Sequence, residues 1–115
     1  MENSQPEVPK PIPMYMEDNN VYKYLAMTPS HLSTIKLEQG VFVKLWMKTN
    51  GEKKLLAVLC ESEPMATLDI QMDHKAQLYL ECDGPSLVAL VGYCPTFPMY
   101  RNIQSFFYCT PKEFS

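Results

Sequence analysis

The residues of this chain able to do chemistry are few and scattered. Two histidines, His31 and His74, and four cysteines, Cys60, Cys82, Cys94 and Cys109, make up its inventory of soft bases and thiol nucleophiles. His74 stands between Asp73 and Lys75 in a stretch that predicts a turn, where a histidine is ordinarily solvated. His31 follows Pro29-Ser30 at the start of a predicted strand. A Ser–His or Cys–His pair needs a local signature or a fold that assembles it, and no local signature is present. No two cysteines stand in a C-x-x-C pair, so zinc ligation is not expected. Reduced thiols acting as small core hydrophobes are the expectation instead. Beyond Glu2 and Glu7, carboxylates are spread along the domain at Glu17, Asp18, Glu38, Glu52, Glu61, Glu63, Asp69, Asp73, Glu81, Asp83 and Glu113. Paired acid–base work needs two of them close together in one cleft, and Glu61 with Glu63 reads as a solvated loop. The four glycines form no phosphate-cradling motif. The expectation is a chain without enzymatic activity, metal or cofactor.

Composition narrows the partners. The net charge is −3, and Lys53-Lys54 is the only adjacent basic pair. Phosphate backbones are bound by clustered lysine and arginine, so direct nucleic-acid binding is not expected. Phe42-Val43-Lys44-Leu45-Trp46 interleaves aromatics with lysine, but its alternation predicts packing rather than base stacking. A length of 115 residues with 46% hydrophobic content fits one domain with one small core. The first residues are polar and proline-rich, with no apolar leader, and no run reaches the length of a membrane span. The reducing interior of the cell is the expected compartment.

The elements that must position these residues read as strands. Pro6, Pro9, Pro11 and Pro13 predict an extended, flexible arm over residues 1–20. Strands are predicted over Val21–Met27, His31–Leu37, Val41–Lys48, Lys54–Cys60, Thr67–Met72, Ala76–Cys82, Ser86–Tyr93 and Ile103–Cys109. Val41–Lys48 alternates most clearly, with Val41, Val43, Leu45 and Met47 on the core face. Phe42 and Trp46 interrupt an otherwise polar outer face, which predicts a covering neighbour. Asn50-Gly51 favours a type I′ hairpin turn. Lys54–Cys60 is apolar enough to be buried on both sides, and Ser86–Tyr93 is the most buried candidate. Short strands at regular spacing predict an all-β sandwich or jelly-roll barrel spanning 21–110, with 111–115 as a tail.

Three segments carry a family likeness: HLSTIKLEQGVFVKLWM, LLAVLCESEPMATLDIQM and LYLECDGPSLVALVGY. In order and spacing the span His31–Tyr93 resembles the nucleoplasmin-like core domain, especially the version at the N-terminus of insect nuclear FK506-binding proteins. The resemblance implies an eight-stranded jelly roll assembled as a ring. A homo-pentamer is the expected state, with a tetramer or decamer as alternatives. It also implies a nuclear, chromatin-associated protein that chaperones histones by electrostatic attraction. Glu61, Glu63, Asp73, Glu81 and Asp83 would face histones or other basic partners. Phe42, Trp46, Leu87, Leu90 and Tyr93 would lie at the subunit contact, with the core as the alternative place for Leu87, Leu90 and Trp46. A multimerising scaffold that recruits other proteins is the alternative function. The sequence departs from the family pattern in three places. Met14-Tyr15-Met16 stands in place of the aromatic–glycine opening, Glu61-Ser62-Glu63 is the nearest remnant of the long acidic tract, and these 115 residues hold no isomerase domain. The aromatic stretch Tyr100–Ser115, with Phe106, Phe107, Tyr108 and Phe114, is expected to add a strand or dock a partner.

Overall fold

The computed structural model of the chain describes residues 12–96 and 99–112, with backbone alone over 94–96 and 99–102. Strands β1 (Met14–Glu17), β2 (Asn20–Tyr24), β3 (Ser30–Gln39), β4 (Phe42–Thr49) and β5 (Glu52–Cys60) form the first half. The second half holds β6 (Met65–Met72), β7 (Gln77–Cys82), β8 (Leu87–Thr96), β9 (Met99–Asn102), a 3-10 turn (Ile103–Phe106) and β10 (Phe107–Pro111). All pairings are antiparallel, in two five-stranded sheets. The first sheet runs β1-β8-β3-β6, with β9 also on β8; the second runs β10-β2-β7-β4-β5.

Alternation builds the core. Leu32, Ile35 and Leu37 of β3, and Val88 and Leu90 of β8, point inward from the first sheet. Val43, Leu45 and Met47 of β4, and Leu78 and Leu80 of β7, meet them from the second. A side-chain period of 2 puts every other residue of a strand on one face, so this pattern fixes register as well as burial. Bulges at Leu32/Thr34 and Leu45/Trp46 shift the ladder locally. Buried polar groups are paired: the Tyr24 hydroxyl lies 2.5 Å from both Ser30 Oγ and the Thr28 carbonyl, and Tyr22 Oη accepts from the Glu17 amide at 2.8 Å. Among the described residues no buried side-chain polar atom lacks a partner.

Four expectations need correction. Strand β1 lies inside the stretch expected to be a flexible arm; Met14 and Met16 are buried and tie it to β8. Lys54–Cys60 is not buried on both sides: β5 is a sheet edge, leaving Leu55 and Val58 exposed on the outer face. Val41 is exposed because it precedes β4, in the turn that Gly40 makes. Ile103 opens a 3-10 turn rather than a strand, plugging the core with its fully buried side chain. The sandwich itself is as expected, and the aromatic C-terminal stretch does add a strand, β10 on β2. The added strands β1 and β9 raise the count above eight. Phe114 and the proline-rich residues 1–11 lie outside the described residues.

Candidate functional site

Topology gathers carboxylates at one end of the sandwich. Glu17 pairs with Leu87, Gln39 with Leu87, Phe42 with Cys60 and Val43 with Cys82. The turns after β1, β3, β5 and β7 therefore share an end. Backbone bonds lace them together: Leu37 N–H donates to the Pro64 carbonyl at 2.7 Å, and Asp83 N–H to the Phe42 carbonyl at 3.4 Å. The Ser86 amide donates to Asp18 Oδ1 at 3.2 Å. This end carries Asp18, Glu38, Glu61, Glu63 and Asp83, with Glu17 and Glu81 close inside the adjoining strands. Of the acidic residues expected to face a basic partner, the fold brings Glu61, Glu63, Glu81 and Asp83 to this end. Asp73 lies at the opposite end, in the turn after β6, since Met72 pairs with Ser30 at the start of β3. Sequence reasoning missed Asp18 and Glu38, because only strand pairing shows that their turns converge.

The turn after β5 also tunes a thiol. Cys60 Sγ lies 3.2 Å from Ser62 Oγ. That hydroxyl, then the backbone amides of Glu63 and Ser62, hold the Cys60 thiol below its ordinary pKa. Cys82, on the end of β7, is shifted the other way, chiefly by burial.

The outer face of the first sheet carries an apolar row. Leu87, Ala89, Val91 and Tyr93 occupy the outward positions of β8, with Ala89 buried and Leu87 and Val91 half-buried, and exposed Tyr15 pairs beside Ala89. Tyr93 is 39% exposed, and its ring centroid stands 5.3 Å from that of His31. Leu90, expected in the core or at a subunit contact, points into the core and is fully buried. Phe42 and Trp46 lie half-buried on the outer face of the second sheet, where Lys44 and Lys53 rest over their rings.

The structure assembles one polar constellation that sequence spacing could not reveal. His31 Nε2 stands 2.7 Å from Asp69 Oδ1 across the β3–β6 pair, and His31 Nδ1 stands 3.3 Å from Ser33 Oγ. The Asp69 side chain is 86% exposed, so water competes for every group in the cluster. His74 donates from Nδ1 to the Ala26 carbonyl at 3.0 Å, tying two turns together. Among the described residues no group of three His, Cys, Asp or Glu side chains is placed to hold a metal, and no helix is long and apolar enough to cross a membrane. A cleft of about 280 Å³ opens between β1 and β10, lined by Met14, Tyr15, Tyr22, Gln104, Phe107 and Cys109. It holds no convergent charged groups.

No protein-family model and no curated protein matches the sequence. Solved structures do. The nucleoplasmin-like N-terminal domain of Drosophila FKBP39 superposes with a TM-score of 0.67 at 20% identity, covering 81% of this chain and 95% of that one. The Drosophila NLP core, a structure described as providing insight into pentamer formation and histone binding, superposes with a TM-score of 0.56 at 13% identity. That match covers 70% of this chain and 93% of the other. By strand order, packing and these superpositions, the chain has the fold of a nucleoplasmin-like core domain.

Proposed function

We propose that this chain is the oligomerisation domain of a nuclear, chromatin-associated protein, that it closes into a ring of five, and that its acidic end receives histones. The observation that carries the reading is the outward apolar row of β8, Leu87, Ala89, Val91 and Tyr93. The part of this row still in water, exposed Tyr93 with half-buried Leu87 and Val91, and Tyr15 beside it, is covered most simply by a second copy. A closed ring requires two different complementary patches on each copy, and the row on β8 is one of them. The likeness to the NLP core supports the reading, because pentamer formation and histone binding are reported of that protein.

Ring closure sets the acidic ends of all copies around one axis. Repeated carboxylates there would raise the local potential well beyond that of a single domain, steering basic proteins and making binding salt-sensitive. The direct test is titration of a core histone heterodimer against the chain at low and raised salt. Binding that weakens with salt, and weakens further in Glu61→Gln/Glu63→Gln/Asp83→Asn, is expected. Asp73→Asn, at the other end, should leave it unchanged. Equal binding by the wild type and the triple variant would remove the acidic end from the account.

A second reading, a scaffold that multimerises and recruits other proteins, is favoured by the outer face of the second sheet. Its charge has the wrong sign for histones.

A further inference from the structure

We propose that the outer face of the second sheet docks an acidic peptide segment of a partner protein, in which carboxylates are interspersed with apolar side chains. The inference does not depend on histone binding. Among the described residues the groove on this face is lined by Lys48, Lys53 and Lys112 against the single carboxylate of Glu81, and Lys23 and Lys44 lie on the same face, in a chain whose net charge is −3.

Strand register arranges these residues in rows. Lys23 pairs with Gln77, Gln77 with Lys48, and Lys48 with Lys53, which makes a lysine row across four strands. The next row holds Val21, Tyr79, Trp46 and Leu55. Beyond it Lys44 pairs with Glu81, and Lys112 lies just past β10. An apolar and aromatic strip is thus flanked by cations on both sides. A groove of about 590 Å³ follows the strip, with Trp46, Tyr79, Lys48, Lys53 and Lys112 in its lining.

The lysines are seated rather than loose. Lys53 Nζ lies 5.1 Å from the Trp46 ring centroid and 5.7 Å from that of Tyr79, and Lys112 Nζ lies 5.8 Å from the Tyr79 ring. An ammonium held over a ring loses less freedom when it meets an anion, and each keeps N–H donors to offer. Lys112 spends one on the Leu80 carbonyl at 2.5 Å. Glu81 is engaged by Trp46 Nε1 at 3.0 Å, which fixes the indole.

Charge complementarity selects an anionic ligand, and the rings select its kind. Single-stranded nucleic acid binds by stacking bases on open aromatic faces. Here ammonium groups stand over Trp46 and Tyr79, and the cations are lysines rather than the arginines that grip phosphate bidentately. A peptide needs no stacking: its apolar side chains lie along the Tyr79–Trp46 strip and its carboxylates reach the lysine rows.

Trp46 is the only tryptophan in the chain, so its emission reports on this groove alone. The chain is titrated with a short synthetic peptide of glutamate and aspartate interspersed with leucine, following Trp46 fluorescence. Saturable binding that weakens as salt rises is expected, with a loss of about tenfold or more in Lys53→Ala/Lys112→Ala. Lys54→Ala/Lys75→Ala, which removes two exposed lysines off the outer face, should bind as the wild type does. Unchanged Trp46 emission, equal losses in both double variants, equal binding of the Gln/Asn version of the peptide, or a single-stranded oligonucleotide binding more tightly would each overturn the proposal.

Discussion

Gly40 and Ser86 meet across the acidic end so closely that a β-carbon on Gly40 would stand 2.4 Å from Ser86 Oγ. Gly40 also has a φ of +115°, a backbone conformation that side chains rarely adopt. Two turns distant in sequence are thereby packed backbone against side chain at the end that carries Glu38 and Asp83.

Gly40→Ala should therefore cost about 2–3 kcal/mol in urea denaturation, from strain and displacement of Ser86 together. Gly51→Ala meets nothing within 4 Å, and only its positive φ of +80° opposes it. It should cost about 1 kcal/mol. Equal losses would show that the Gly40–Ser86 contact yields freely.

Adjacent residues of β8 should separate folding from assembly. Leu90 is fully buried, so Leu90→Asp places an unpaired charge in the core and should cost on the order of 4 kcal/mol or more, removing the cooperative thermal transition. Val91 faces outward, so Val91→Asp should keep the strand spectrum in circular dichroism while the assembly dissociates on a sizing column. An intact assembly in Val91→Asp would exclude the apolar row from the subunit contact.

Thiol reactivity should divide along the same end of the molecule. A lowered pKa means more thiolate at any given pH below it, so Cys60 should be carboxymethylated faster than Cys82 near neutral pH. Ser62→Ala should slow Cys60, since the Ser62 hydroxyl is the leading cause of its shift. Cys82 is raised by burial, so its neutral thiol contributes stability below the ordinary thiol range, and that contribution fades as pH rises through the raised value. Peptide mapping after timed alkylation reads each rate.

Tyr24 anchors the connection between β2 and β3 from inside the core. Tyr24→Phe keeps the ring but leaves Ser30 Oγ and the Thr28 carbonyl without the hydroxyl, and should cost about 1–3 kcal/mol in chemical denaturation. A neutral effect would mean that the connection re-pairs on its own.

Strands were legible where one face is buried. Val43, Leu45 and Met47 alternate with half-exposed partners, and the period is visible without any neighbour. The Asn50-Gly51 turn was legible from residue type alone, and both residues have positive φ, 51° and 80°. β1 was hidden because prolines precede it and because Met14 and Met16 have too short a run to show a period. Leu55 and Val58 look like core residues in sequence; their exposure follows from β5 being an edge, a fact of sheet order. The candidate sites were harder still. Asp18 is distant in the chain from the turn that carries Asp83 and reaches it only through the Ser86 amide, and Lys53, Trp46, Tyr79 and Lys112 come from separate segments. No spacing rule reaches across such distances, because register and strand order set them.

Self-assembly is the claim on which the functional reading turns, and solution mass tests it most directly. Light scattering on a sizing column, at low and high salt, should give a single species at five times the mass of one chain, or at ten if two rings pair. A clean monomer at high concentration would contradict the ring and leave the outward row of β8 without the partner assigned to it.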